Sequence, residues 1–482
     1  MLIFKRNILK LENKICGGIL MAKKTFVLDT NILINSPNAL SKFEDNDVII
    51  TEAVLEELDK FKKDKDERGM NARAVVRELE NLRQKGNLIN GVCINESKGI
   101  LKVETNHRNI NLPENWNLEK ADHRILQICK ALKDEEKDVR LITNDILLRI
   151  KADIINIKSE AFETEQSPDI KQQYTGRLEI YLKDKDFDSF YENGELLLDH
   201  TPLIEFNEHG EAIQLEKDIY PNEYVLMKNS MGNTALGKID TQCRYIKKLN
   251  WLDYSPYGVT PRNVAQKFMI DALMSDTPLV ILKGVAGSAK TFLSIAVGLE
   301  RVIGTEEFRK VLITRPSVGL GGPEYDIGYL PGSEREKMDP YMRSCYDNLE
   351  ILVDSNEKER YNDEDTLQSK VAFILDKGYI DFQAVSFLRG RSITKQYVVV
   401  EECQNISMTQ AKAIVTRVGE GTKLILCGDP QQIDTPFLDS RNNGLSWISE
   451  RMKGSKYCVQ VSTSSNECVR SKLAEDAINR LS

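Results

Sequence analysis

The chain has 482 residues, 41% hydrophobic and 29% charged, with a formal net charge of −8. That length predicts about two to four domains of soluble composition, and the negative balance excludes a surface that binds nucleic acid everywhere, so any such surface has to be a local basic patch. No stretch approaches the ~18 apolar residues of a membrane-spanning helix, and nine cysteines without CxxC spacing exclude a zinc-ribbon or disulfide framework and point to a reducing, cytoplasmic compartment.

Met1 to Leu20 begins apolar, but Asn, Glu and Lys interrupt it, which makes a poor signal peptide. Gly17-Gly18-Ile19-Leu20-Met21 back-translates as a ribosome-binding sequence, a spacer and a start codon. Met21 is therefore the expected first residue, and residues 1–20 are expected to be a non-native extension.

Residues 21–160 read as an α/β domain. The strand Thr25-Phe26-Val27-Leu28 ends in Asp29, and Val139-Arg140-Leu141-Ile142 ends in Thr143-Asn144-Asp145. In open α/β sheets ligands sit beyond the carboxyl ends of strands, where both Asp fall. The same positions also suit helix caps and turns. Two helices carry an acid on an apolar stripe: Glu57 with Val54, Leu58 and Phe61, and Asp122 with Ile125, Leu126 and Cys129. A carboxylate there is costly unless paired or metal-bound. Asp29, Glu57, Asp122 and Asp145 together form a candidate cluster for Mg²⁺ or Mn²⁺, ions that activate water in phosphodiester cleavage.

On these segments, with Asn31, His123 and Arg149, the domain resembles the PIN-domain ribonucleases. The resemblance implies an α/β/α fold and metal-dependent cleavage of single-stranded RNA. It makes Asp29, Glu57, Asp122 and Asp145 the metal carboxylates, with Asn31 and Thr143 in support. His123 stands where the family usually has Asn. The run Lys60 to Arg68 is either a guide for a phosphate backbone or a solvated helix end.

Residues 161–250 open on a polar linker. Short apolar runs alternate with turn signals at Asn193-Gly194, His209-Gly210 and Met231-Gly232-Asn233, which predicts a small β-rich module. It either binds a strand of nucleic acid or spaces its neighbours.

Residues 251–482 contain the strand Leu279-Val280-Ile281-Leu282-Lys283, the loop Gly284-Val285-Ala286-Gly287-Ser288-Ala289-Lys290-Thr291 and a helix pattern from Phe292. This is the layout of a phosphate-binding loop: backbone N–H groups around phosphate, Lys290 as a point charge and the Thr291 hydroxyl toward Mg²⁺. Ala289 replaces the glycine expected before the Lys. If that position is left-handed, the methyl costs about 1–3 kcal/mol. Downstream strands end in Thr314-Arg315-Pro316, in Glu401-Glu402 and in Gly428-Asp429-Pro430-Gln431-Gln432, as a doubly wound parallel sheet requires. Paired acids after a strand suit NTP hydrolysis, one holding Mg²⁺ and one polarising water.

These blocks, with Pro261-Arg262-Asn263, Asp326 to Gly332, Arg389-Gly390-Arg391, Thr416 to Gly419 and Arg470, resemble the PhoH family of P-loop ATPases, related to the RecA-like first lobe of superfamily-one helicases. The resemblance implies that Gln266 contacts adenine, that residues 284–291 bind the phosphates of ATP, that Glu401 is a metal carboxylate and Glu402 the general base, and that Gln432 senses the γ-phosphate. Arg470 would be an arginine finger acting across subunits of a hexameric ring. Glu401 replaces the usual Asp, and Val469 the usual Glu beside the finger. A PIN domain before a PhoH ATPase implies a helicase or translocase for single-stranded RNA coupled to a ribonuclease. The alternative is a ribonuclease or RNA-binding protein whose ATPase only assembles or gates the oligomer. An antitoxin-like protein is a candidate partner.

Overall fold

A computed structural model describes residues 23–467 apart from 65–66, 96, 98, 106–109, 111, 114–115, 136, 163–166, 200, 202, 207–211, 215–217, 317–333, 356–363, 389–392, 436–437 and 465–466. The chain divides into two compact units, residues 1–165 and 166–482. The expected extension at residues 1–20, the Asp326 to Gly332 block, Arg389-Gly390-Arg391 and Arg470 lie outside the described residues.

The first unit is built on a six-stranded sheet in the order Val92–Cys93, Ile100–Glu104, Asp47–Thr51, Thr25–Leu28, Val139–Ile142, Lys158–Glu160. All neighbours run parallel except the first pair. Thr25–Leu28 is central and buried throughout, which is why Phe26-Val27-Leu28 is a continuous apolar run rather than an alternating one. Helices Thr30–Asn35, Glu52–Phe61, Ala121–Asp134 and Ile146–Ile154 connect and flank the strands. Thr51 caps Glu52–Phe61 by accepting from Val54 N at 3.3 Å. Val54 and Leu58 then face the core beside Val27, Leu28 and Ile50. The parallel strands deliver Asp29 and Thr143 to the same edge of the sheet.

The second unit holds two sheets. The first has seven strands in the order Ala212–Gln214, Ile204–Phe206, Arg177–Tyr181, Tyr224–Lys228, Thr234–Ile239, Tyr245–Lys248, Glu195–Leu197. It also carries a helix, Asp184–Asn193, closed by left-handed Gly194. The turn signal at Asn193-Gly194 falls at that helix end; the β-rich reading of this stretch did not foresee the helix. The second sheet is fully parallel: Ile380–Ala384, Val311–Arg315, Tyr397–Val400, Lys423–Gly428, Leu279–Lys283, Cys458–Ser462. Lys423–Gly428 stands between the strand that feeds the phosphate loop and the strand that ends in Glu401-Glu402.

The two sheets are fastened together. Tyr224 of the first is fully buried, stacks on Phe268 at 4.6 Å and donates its hydroxyl to Asp271 Oδ2 at 2.9 Å. Gly176 lies so close to Gln460 that a Cβ would come within 2.1 Å of its carbonyl oxygen. Ser462 N donates to Thr175 O at 2.9 Å, and Asn222 Nδ2 reaches Lys456 O and Cys458 O. Arg177 makes two hydrogen bonds to the Glu467 carboxylate, at 2.7 and 2.9 Å. A free-standing spacer would make none of these contacts.

Candidate functional sites

Two strand-end sites emerge, one in each unit. In the first, Asp29 caps helix Thr30–Asn35, its Oδ1 accepting from Thr30 N at 2.6 Å. Its Oδ2 accepts from Thr143 Oγ1 at 2.6 Å. Thr143 is a hub: Asn31 Nδ2 donates to its hydroxyl oxygen at 3.3 Å and Asp145 N at 3.0 Å. Glu57 comes in from helix Glu52–Phe61 and accepts the Thr30 hydroxyl. Asp122, in the first turn of Ala121–Asp134, is paired with Lys151 Nζ at 3.1 Å. Asp145 is exposed, and its Oδ1 caps the next helix at Leu147 N (2.8 Å) and Leu148 N (3.3 Å).

Asp29 is 6% exposed. Burial pushes its carboxyl up to about 6 from the usual 3.8, against the pull of Thr143 and Thr30, and the charges of Asp122 and Glu57 add to the rise. Asp29, Glu57 and Asp122 therefore share one field, while Asp145 is engaged as a helix cap. Among the described residues no group of three or more His, Cys, Asp or Glu is close enough to hold a metal ion. The acids converge without closing into a coordination set. The donor chemistry nevertheless suits a divalent cation. A buried carboxylate with acidic neighbours is relieved by positive charge, and Asn31 Oδ1 is a buried acceptor with no hydrogen-bond partner among the described residues.

In the second site, Leu279–Lys283 is buried along its whole length and leads into the loop. A Cβ on Gly284 would fall 1.7 Å from Thr463 Oγ1, so only glycine fits there. Gly287 has φ 84° and Ala289 φ 65°, both left-handed. Ala289 immediately precedes helix Lys290–Leu299 and bears the strain foreseen for it. Lys290 Nζ turns back on its own loop, donating to Gly284 O (2.6 Å), Val285 O (3.1 Å) and Ser288 Oγ (3.1 Å).

Glu401 is 4% exposed and accepts from Cys345 Sγ at 3.1 Å through Oε2; its Oε1 has no partner among the described residues. Glu402 sits at φ 49°, which swings it away from the strand direction. Its carboxylate meets Arg315 at 3.5 Å and Gln404 Nε2 at 2.6 Å. Gln404 also donates to Gln432 O at 2.7 Å, so the exposed Gln432 is tied to the paired acids through its backbone. Gln266 is buried, and its Oε1 accepts from Arg262 N at 2.8 Å. The cradle that a Cβ would fill and the buried, unpaired Glu401 Oε1 fit a phosphate chain with a hydrated cation.

Sequence reasoning gave no role to Arg315, Gln404, Cys345 or Thr463. Arg315 was visible inside Thr314-Arg315-Pro316. Gln404 was visible beside Glu401-Glu402; Cys345 and Thr463 carried no signal, because they act on neighbours distant in sequence.

A family profile described as PhoH-like protein matches residues 258–482, and one described as PIN domain matches residues 26–163. The chain is 37% identical over 468 residues to Protein PhoH2 of Bacillus subtilis (strain 168), covering 95% of this chain and 100% of that one. This chain belongs to the PhoH family. It joins a PIN domain and a PhoH-type P-loop ATPase in one polypeptide, as an α/β multidomain protein. Protein PhoH2 of Thermobispora bispora is 29% identical, and that of Mycolicibacterium smegmatis 28%, each covering 92% of this chain and 94% of theirs. The PhoH match contains the whole strand, loop and helix around Lys290, and the PIN match contains all four acids. Among the described residues no helix is long and apolar enough to cross a membrane.

Proposed function

We propose that this PhoH-family chain is an ATP-driven helicase or translocase for single-stranded RNA, coupled to a PIN ribonuclease that cuts it. The observation that carries the reading is the pairing within one chain of two strand-end sites: acids gathered around buried Asp29, and a phosphate loop that shares the carboxyl end of one parallel sheet with Glu401-Glu402.

In the ribonuclease site, Asp29, Glu57, Asp122 and Asp145 would hold Mg²⁺ or Mn²⁺, which supplies an activated water and stabilises the leaving oxygen. Thr30 and Thr143 orient Glu57 and Asp29 through their hydroxyls. In the ATPase site, Lys290 gives up the carbonyls of Gly284 and Val285 to meet phosphate oxygens. Backbone N–H groups of the loop would meet the phosphate oxygens, and the Thr291 hydroxyl and Glu401 would hold the cation. Glu402, held by Arg315 and Gln404, polarises the attacking water. Gln432, tied to Gln404, carries the γ-phosphate state back to the acids. Arg470 of an adjacent copy completes the site in a hexamer.

The test uses a labelled partial duplex of RNA with Mg²⁺ or Mn²⁺, with and without ATP. Asp29→Asn leaves ATP-dependent unwinding and abolishes cutting. Lys290→Ala abolishes ATP turnover and unwinding and leaves cutting. No unwinding by the Asp29→Asn protein, with ATP turnover intact, replaces this reading with the second one, in which the ATPase assembles or gates the ring. The strained Ala289 is the observation that favours that second reading, since it sets a limit on how readily the loop closes.

A further inference from the structure

A chain of net charge −8 can engage a polyanion only through a local patch. The described surface contains one. Arg451 to Tyr457 reads Arg-Met-Lys-Gly-Ser-Lys-Tyr, with three cations and no acid. Arg451, Lys453 and Lys456 are exposed, and each stands over an aromatic ring. Lys453 Nζ lies 4.5 Å from the centre of Tyr220 and 5.4 Å from Tyr174, two rings packed edge to face at 5.5 Å. Lys456 Nζ lies 5.0 Å from the ring of Tyr457, which is 59% exposed, and Arg451 lies 5.9 Å from Trp447.

The turn is held in one shape. Gly454 has φ 77° and lies against the Tyr220 ring, Asn222 Nδ2 holds Lys456 O at 3.1 Å, and Tyr457 N donates to Ser455 Oγ at 3.3 Å. Three carboxylates near the turn are held in place by hydrogen bonds and keep their charge. Glu450 accepts from Tyr174 N, Glu223 from Tyr220 N, and Asp218 from the Tyr220 hydroxyl. The turn enters strand Cys458–Ser462, which runs parallel to Leu279–Lys283. The patch therefore sits at the end of the sheet opposite the phosphate loop, about 16 Å away along a five-residue strand.

We infer that this turn is a binding surface for single-stranded RNA, with Lys453 and Lys456 on backbone phosphates and Tyr457 as a stacking platform for a base. Cations beside exposed rings on a rigid surface are what sequence-tolerant strand binding requires. A lysine over a ring keeps its ammonium donors for phosphate, because the ring takes up only one side of the charge. The inference rests on the RNA reading above and adds where on the ATPase the strand runs.

The experiment measures binding of fluorescent oligo(U) and oligo(dT) to the full chain in an Asp29→Asn background, across a salt series. Lys453→Glu with Lys456→Glu is expected to weaken oligo(U) binding at least about tenfold. It should also lower the salt slope by about 1.4, the share of two phosphate contacts on a single strand. Tyr457→Ala is expected to weaken binding about tenfold with the slope unchanged. Basal ATP turnover and the thermal midpoint stay at the parent values, and stimulation of turnover by RNA is lost. Parent binding that survives the double reversal with the same slope overturns the surface and leaves the RNA reading standing. A parent that binds neither oligonucleotide overturns both. A parent that binds only oligo(dT) transfers the surface to DNA and overturns the RNA assignment.

Discussion

At Asp29 the cost of burial is the handle on function. The usual carboxyl releases its proton near 3.8, and this one keeps it to about 6. The folded state therefore binds the proton more tightly than the unfolded chain. The stability gained from the neutral form is complete below about pH 4 and is lost as pH rises through about 6, on the order of 3 kcal/mol for a shift of this size in metal-free protein. Asp29→Asn keeps an acceptor for Thr30 N and removes the charge. It is expected to raise the thermal midpoint of metal-free protein at pH 7.5 while abolishing RNA cleavage, and added Mn²⁺ should stabilise the parent but not the variant. Differential scanning calorimetry with and without Mn²⁺ checks both. Ala289 gives the second residue-scale test. Glycine at φ 65° removes the left-handed strain of a methyl-bearing residue. Ala289→Gly should stabilise the chain by about 1 kcal/mol and raise ATP turnover, as unfolding curves and steady-state kinetics would show. No change in either would mean the loop closes on ATP without needing glycine.

At the scale of elements, the junction between the two sheets of the second unit depends on strand Tyr224–Lys228. Tyr224 lies flat on Phe268 with its hydroxyl on Asp271, and Lys238 closes the pair at 3.5 Å. Tyr224→Phe removes one hydrogen bond from a buried carboxylate and should cost about 1–3 kcal/mol. Tyr224→Ala also opens a cavity and should cost about 3–5 kcal/mol. Urea titration of the full chain distinguishes the two. The strand itself was legible as an apolar run between turns. Its role was not, because nothing in Tyr224-Val225-Leu226-Met227 says which face meets Phe268 forty residues on. The central strands Thr25–Leu28 and Leu279–Lys283 were readable for the opposite reason: both faces are buried, so Phe26-Val27-Leu28 and Leu279-Val280-Ile281-Leu282 are continuous apolar runs, ended by Asp29 and by Lys283-Gly284. The pairing of Thr143 with Asp29, and of Gln404 with Glu402 and Gln432, needed the fold.

At the scale of the whole molecule, the chain divides after residue 165. Residues 21–165 and 166–482, expressed separately, are each expected to fold and to unfold cooperatively. A chain beginning at residue 251 should not, because Asp271 and Lys283 would lose Tyr224 and the Tyr174 carbonyl, which Lys283 Nζ holds at 2.6 Å. Buried charges stripped of partners are expensive. Circular dichroism melts of the three fragments measure this. Turn signals between short apolar runs are legible in residues 166–250, but the attachment of that sheet to the parallel one rests on scattered single residues, Gly176, Arg177 and Asn222, that no periodicity announces.

The grip of residues 174–177 and Asn222 on Cys458–Ser462 has one more consequence. That strand is the last in the parallel sheet, and its outward-facing backbone groups would otherwise invite strand addition by another chain. Thr175 O takes up Ser462 N, Asn222 takes up Cys458 O, and Gly176 crowds Gln460 O. One rim of the sheet is thus sealed from within the same polypeptide. Among the described strands only Ile380–Ala384 remains as an outer strand of that sheet, so any sheet-to-sheet joining of copies has a single direction in which to grow.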